Sequence, residues 1–551
     1  MKAFFCGIWL RSKRVEVWAA IIFFMCLCSP SIGSAQVADV PVYGVFEVSL
    51  TTSSAHANPY TDVSLTGTFQ GPTQQIIIEG FWDGGGTWKL RMAPTEAGTW
   101  TLVQVSSNDA ELNHQQEGLT FAAHTPTADE IKDNEVLRHG FVTINPAYPH
   151  TFMHKDGTPF FFLGDTRWCG KSFCGTIFQD GLFQQMVDAR AAQGFTVFSV
   201  AHLALYSSVG NEGGAPFIGS HTNNVLNPGF FQWVDKRIDY MTRKGIRPML
   251  LLGAPDGGLT SNTDWLERMQ RYLIARYAAY DVIWFGVKEY EEWGSSAAID
   301  AIGNAIASYD PYRHPASTHT TNSTNEIGGK AWLSFNALQR GGGSNGAPSQ
   351  SGVSLVISDY QNFEKPVVQT EAFYEGAPGS PNYFSDPSVL LNGLWAIQLH
   401  GGWNAGYQLV TQGIDQYLQQ MNNTSAAYHT HLKSFFVDRT EFWKLVPNNG
   451  IVVAGTAWAA AQPGKEYVLF LKNGGAVDVD LSAASGSLPF EWYDPTKGTF
   501  TGASVIAGGG IRSFTAPGSG SWVLHIGGSG SGGSTDTSPP MPPKNLKVAD
   551  S

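Results

Sequence analysis

Two segments of this chain end an unbroken apolar run on a carboxylate: Asp281-Val-Ile-Trp-Phe-Gly-Val-Lys-Glu289 and Lys365-Pro-Val-Val-Gln-Thr-Glu371. A strand that is apolar on both faces must be covered on both faces, which is the condition of a parallel sheet flanked by helices. In parallel α/β folds the functional groups gather at the carboxyl ends of the strands, so both glutamates are expected at one mouth.

The surrounding sequence repeats that texture. Strand candidates Phe160–Asp165, Phe195–Val200, Ile246–Leu252 and Val282–Phe285 are separated by helical stretches such as Gly181–Gln193 and Asp264–Tyr280. Pro315–Thr318, Ala331–Phe335, Pro366–Gln369 and Gly402–Tyr407 continue the series. Eight strands alternating with helices between residues 138 and 437 predict a (β/α)8 TIM barrel. The flanks read differently. Residues 40–123 alternate in the strand manner around turns at Asp83-Gly-Gly-Gly86 and Glu96-Ala-Gly98, which predicts an N-terminal β-sandwich. Strand texture returns in 438–527, a small C-terminal β-domain, so the chain is expected to be multidomain.

Both ends carry processing or linker signals. Arg11-Ser-Lys-Arg14 precedes the apolar run Val17–Cys28, and Gly33-Ser-Ala35 supplies small residues for cleavage, so residues 1–35 read as a signal peptide. A membrane anchor is the alternative, although the run is shorter than the roughly 20 residues of a spanning helix. The expected location is therefore secreted or periplasmic, with no stable membrane insertion once the signal is removed. Residues 528–551 read as a Gly/Ser linker followed by the stiff Ser538-Pro-Pro-Met-Pro-Pro543, a linker of the kind that precedes a further module. Export also bears on the cysteines. Cys6, Cys26 and Cys28 lie in the signal, which leaves Cys169 and Cys174 as a candidate local disulfide.

A net charge of −12, with no clustered Lys or Arg, argues against nucleic acid as partner. The 17 Trp and 19 Tyr offer aromatic platforms, although most aromatics in such a chain belong to cores. No metal-ligand spacing, Gly-rich phosphate loop or Gly-x-Ser-x-Gly elbow competes, so neither metal nor cofactor is expected.

What remains is carboxylate chemistry. Glu289, Glu291 and Glu292 follow the fourth strand beside Tyr290 and Trp293. Cleavage of a glycosidic bond needs one carboxylic acid to protonate the leaving oxygen and one carboxylate across the anomeric carbon. Glu289 is the expected acid, because it comes first after the strand. Glu371, ending the seventh strand, is the expected nucleophile, with Glu375 next in line if that strand runs longer. The competing readings are a solvated acidic loop for the first group and a structural ion pair for Glu371. Asp165, Trp168, His202, Glu292, His319 and Tyr374 are candidate substrate-binding residues around the same mouth. The long stretch Ser207–Pro228 is a candidate lid or cleft wall.

Gly140-Phe-Val, Phe160–Trp168, Val282-Ile-Trp284 leading to Glu289, and Lys365-Pro-Val with Glu371-Ala-Phe-Tyr-Glu-Gly376 together resemble the apiosidase-like glycoside hydrolases, relatives of the clan A retaining barrels. The resemblance implies an acid/base after the fourth strand and a nucleophile in the Lys-Pro-Val…Glu segment after the seventh. It also implies an N-terminal sandwich, and a C-terminal domain of collagen-binding type around Phe490–Gly498. One departure stands out: many clan A barrels carry Asn before the acid, and this chain has Lys288, which could pair with an acidic sugar or with Glu291. The expectation is a secreted retaining glycoside hydrolase acting on a polysaccharide or oligosaccharide. The alternative is a non-catalytic carbohydrate-binding or adhesion protein on a barrel scaffold. Oligomeric state and sugar specificity are not legible.

Overall fold

The computed structural model describes residues 38–167, 180–200, 210–219, 225–253, 262–293, 295–321, 324, 326–339, 350–371, 374–375, 383–384, 386–407, 421 and 423–528. Residues 1–37, expected to hold a signal peptide, the 529–551 tail, the Cys169/Cys174 pair, Trp168 and His202 lie outside the described residues.

Alternating burial organises the N-terminal strands as their sequence requires. Leu65–Gln70 buries every second residue, and its sheet runs Asp39–Pro41, Thr120–His124, Gly98–Ser107, Leu65–Gln70, Gln75–Glu79. A second sheet of Phe46–Thr51, Thr87–Met92 and Phe81–Gly84 faces it. Phe46 of one stacks on Phe121 of the other at 3.8 Å between ring centroids, the closed interior of a two-sheet sandwich.

Among the described residues, two parallel sheets follow, built from β1 (Gly164–Arg167), β2 (Val197–Val200), β3 (Arg247–Gly253), β4 (Ile283–Val287), β5 (Ala316–Ser317), β6 (Asn336–Leu338), β7 (Val367–Gln369) and β8 (Gly402–Asn404). β1 to β5 form one parallel sheet in sequence order, and β6, β7 and β8 another. Single parallel bridges join the sheets at both edges, Leu163 to Asn404 and Thr320 to Leu338. Both faces of the central strands are buried, as their unbroken apolar sequences demand. Met249, Leu251, Ile283 and Phe285 share one core with Val197, Ala337 and Val368. Leu250, Trp284, Val287 and Val200 belong to a second core, against the surrounding helices. Gly286 is needed within β4, because a Cβ there would lie 2.7 Å from Thr318 Oγ1 of the neighbouring strand end.

The helices begin on the caps their sequences offer. Asn227, Asn262, Ser295 and Asp386 each accept a backbone N–H from the first turn of the helix that follows, and Pro228 and Pro387 occupy the first helical turns of theirs. At the amino ends of the strands lies a small antiparallel meander of Val142–Ile144, Phe152–His154 and Pro159–Phe160. Its Phe152 packs on Phe162, Phe335 and Trp403. The opposite, carboxyl ends carry the site.

Two strand expectations shift. Of Phe160–Asp165, Phe160 ends the meander and Gly164 and Asp165 open β1, with Phe161, Phe162 and Leu163 between the two strands. Ala331–Phe335 is a turn rather than the sixth strand: Leu333 N donates to Lys330 O, and the Trp332 indole donates to Asp300. The strand is Asn336–Leu338. The described part of the 207–228 stretch is anchored rather than open, since Phe217 and Leu226 pair across it and are buried.

The C-terminal residues build a six-stranded sheet from Val446–Pro447 to Thr499–Ala507 and a three-stranded one of Val452–Ala454, Gly474–Asp480 and Ile511–Ser519. They dock on the helices Pro387–Leu399 and Thr424–Arg439 through Trp395 on Phe470 and Phe435 on Tyr493. Among the described residues no helix is long and apolar enough to cross a membrane.

Candidate active site

The turn after β4 is held by one residue just beyond the next strand, His319. His319 N donates to Val287 O at 3.3 Å, His319 Nδ1 accepts the Glu289 N–H at 3.1 Å, and Tyr290 N donates to His319 O at 3.1 Å. Under this clamp Glu289 takes φ +46°, the left-handed region that non-glycine residues avoid. Such strain persists only where the surroundings impose it, and it gathers at functional sites.

The same hydrogen bond defines the imidazole. Burial, with the Lys288 ammonium nearby, holds His319 well below the usual histidine range, so the ring is neutral. Its Nδ1 lone pair is engaged by the Glu289 N–H, which puts the ring proton on Nε2. Nε2 faces Glu371 Oε1 at 3.6 Å, a donor aimed at a carboxylate. Phe285 packs edge-on against the ring at 5.7 Å.

Glu371 follows β7 by two residues and is buried. Thr370 before it is fastened to β6, its N and Oγ1 both donating to Leu338 O at 2.7 and 2.8 Å. Beyond Leu338 comes Gln339, whose Nε2 donates to Glu289 Oε1 at 2.7 Å and to Glu371 Oε2 at 3.2 Å. Lys288 Nζ lies 3.2 Å from the same Glu289 Oε1. Lys288 therefore pairs with Glu289, while Glu291 accepts from Thr321 N instead.

Glu289, His319 and Glu371 each offer a polar atom, and these atoms all lie within 4.8 Å of one another, a spacing that could also surround a metal ion. The imidazole does not suit that use. One nitrogen already accepts a backbone N–H and the other carries the proton, so the ring has no lone pair to give without breaking the clamp on Glu289.

Of the predicted residues, Glu289, Glu371 and His319 are thus brought together. Glu292 is exposed on the short helix Tyr290–Trp293. Asp165 is fully buried, and its Oδ2 accepts from Arg190 Nε at 2.6 Å, a buried carboxylate answered by a buried guanidinium. Arg190 in turn lies over the Tyr407 ring, and Tyr407 donates to Glu375 Oε2 at 2.9 Å. Glu375 belongs to that second network, together with Ser425. Burial raises its pKa above the ordinary carboxyl value, against hydrogen bonds from Tyr407 and Asn423. The Tyr374 backbone pairs with Tyr383 in a short parallel ladder. Gln339 was missed by sequence reasoning. Placing the sixth strand at 331–335 ended it too early, and only the β6–β7 register, Leu338 opposite Gln369, puts Gln339 beside Glu371.

Parallel strands with two carboxylates at their carboxyl ends, set between β-rich flanks, are the features of a glycoside-hydrolase-like protein. The model for the "Apiosidase-like, catalytic domain" matches residues 148–468, more than half of the chain, and the chain belongs to this family. A domain of unknown function matches residues 39–107, and a "putative collagen-binding domain of a collagenase" matches 446–526. No curated protein matches the chain. Among solved structures, a "putative glycoside hydrolase" from Bacteroides vulgatus aligns with TM-score 0.70 at 19% identity, over 89% of this chain and 100% of that one. A glycoside hydrolase family 5 protein from the same organism aligns with TM-score 0.61 at 18% identity, over 72% of this chain and 94% of its own. A third structure, named a glycoside hydrolase, gives TM-score 0.58 at 17% identity, over 72% and 98%. At these identities the likeness is one of fold.

Proposed function

We propose that this chain is an exported retaining glycoside hydrolase acting on a polysaccharide or oligosaccharide, with Glu289 as acid/base and Glu371 as nucleophile. The observation that carries the reading is the separation of the two carboxylates, whose nearest atoms lie within 4.8 Å. Retaining enzymes hold their carboxyl groups about 5–5.5 Å apart, whereas inverting ones leave about 6.5–9.5 Å for a water. The eight strands, bridged at both edges of their two sheets, fit a (β/α)8 barrel whose mouth carries the pair. Export rests on the sequence of residues 1–35.

In the first step Glu371 attacks the anomeric carbon as the glycosidic C–O bond breaks, and the Glu289 proton passes to the leaving oxygen. In the second, water attacks that carbon, its proton passes to Glu289, and Glu371 leaves as carboxylate. His319 keeps the acid in its strained turn and aims an N–H at the nucleophile.

The test is a panel of 4-nitrophenyl glycosides and polysaccharides assayed for released phenol and new reducing ends. Glu371→Gln and Glu289→Gln are each expected to lower kcat by at least about 100-fold, the scale on which a single acid/base group contributes. Azide should restore turnover of activated substrates in the Glu289 variant only. Wild-type rates in both variants would sink the assignment. Binding without any new reducing ends would favour the carbohydrate-binding scaffold instead.

A further inference from the structure

We propose that the Gln339 carboxamide is the positioning residue that sets the spacing of acid and nucleophile; the role rests on the glycosidase reading above. Its Nε2 donates to Glu289 Oε1 at 2.7 Å and to Glu371 Oε2 at 3.2 Å. An amide nitrogen carries two hydrogens, so both are spent on the two carboxylates. The oxygen of the amide cannot take that place, since it would face two carboxylate oxygens.

The root of the side chain is fixed on both sides. Gln339 N donates to Thr320 O at 2.9 Å, and Leu338 before it accepts both donors of Thr370. Rooted in this way between the ends of β5 and β7, the carboxamide bridges the two glutamates that follow β4 and β7. A neutral donor between the two carboxyl groups fixes the spacing of their oxygens without bringing a titrating proton of its own. Lys288 Nζ lies 3.2 Å from Glu289 Oε1, whereas the Gln339 side chain hydrogen-bonds both carboxylates.

A group that holds both carboxylates acts in both steps of the reaction, whatever the leaving group. An acid acts in the first step in proportion to how badly the leaving group needs a proton. This difference separates the two roles experimentally. The probe is the 4-nitrophenyl glycoside that wild type cleaves fastest, together with its 2,4-dinitrophenyl analogue. Gln339→Leu is expected to lower kcat about 100-fold on both, with KM changed by less than about threefold, the loss associated with misplacing a reacting group by about 1 Å. Glu289→Gln should instead recover most of its kcat/KM on the dinitrophenyl substrate, its kcat there staying limited by the second step, in which Glu289 takes the water proton. The 2-deoxy-2-fluoro dinitrophenyl glycoside isolates attack by Glu371. Its rate of covalent labelling should fall by a similar factor in Gln339→Leu. If the leucine variant does not fold, the same quantities are read from the near-isosteric Gln339→Met.

Unchanged kcat and labelling rate in an active background would overturn the proposal, as would a loss confined to KM. A wild-type chain that cleaves nothing in the panel removes the glycosidase reading and this role with it. Active wild type with an unaffected Gln339 variant removes this role alone.

Discussion

At the scale of single residues, the backbone of Glu289 separates what the fold prefers from what the chemistry requires. Its φ of +46° costs an L-residue on the order of 1 kcal/mol, and the His319 clamp keeps it there. Glycine would adopt the same backbone without that penalty. Glu289→Gly and Glu289→Ala should both be inactive, yet the glycine variant should be the more stable by roughly 1 kcal/mol in urea unfolding. Equal stability of the two would mean that the turn relaxes once the carboxylate is gone. The two glutamates were legible in the sequence because each ends an apolar run, and the strand end fixes where a side chain emerges. Asp165 also follows an apolar run, but its charge is answered from the helix by Arg190, a partner 25 residues away that periodicity cannot assign. Gln339 has no local signal at all. It is marked only by the register of two strands.

At the scale of elements, the β-rich flanks and the strand–helix alternation were legible from period alone, since Leu65–Gln70 buries every second residue and β4 buries all five. Short strands were not. Trp332, Leu333 and Phe335 look like a strand, but they fill the space under a turn while the hydrogen-bonding residues come next, at Asn336–Leu338. The strand Trp522–Gly527 of the C-terminal domain shows how an element can carry a pH response. Burial alone would lower the pKa of its His525, but hydrogen bonds to Glu466 and Glu491, at 2.9 and 3.4 Å, outweigh that and raise it above 6.5. A raised folded-state pKa contributes stability that is complete below the unfolded value of about 6.5 and is lost as pH rises through the folded one. The melting temperature of the wild-type protein should therefore fall between pH 6 and pH 9 more steeply than that of His525→Gln. The contribution below pH 6 is on the order of 1–3 kcal/mol, the range for hydrogen bonds to charged partners. Parallel pH profiles for the two proteins would show that His525 stays neutral.

At the scale of the whole molecule, the N-terminal sandwich is joined to the parallel-strand domain by buried charge as well as by apolar packing. Arg91 of the strand Thr87–Met92 and Arg276 of the helix Thr263–Tyr277 both bind Asp235, at 2.9 and 2.7 Å, and Arg276 also reaches Asp83 of the sandwich at 2.8 Å. Burial pushes the Asp235 pKa up, but the two guanidinium groups outweigh it and hold the carboxyl below its ordinary range, so this contribution is present at neutral pH and is lost only in acid. Removing the anion leaves two buried cations with Glu47 and Asp83 as remaining carboxylate partners, whereas the Arg271–Glu79 pair at the same junction has a guanidinium 37% exposed. Asp235→Asn is thus expected to cost about 3 kcal/mol, and Glu79→Gln less than about 1 kcal/mol. Because the network spans both domains, its loss should also divide their unfolding. Calorimetry should show one transition in wild type and Glu79→Gln, and an earlier, separate sandwich transition in Asp235→Asn, with faster proteolysis in the connector between Thr125 and Arg138. A single unshifted transition in Asp235→Asn would mean that the apolar contacts of Phe81, Trp88 and Tyr272, buried in one shared core, are enough to hold the two domains together.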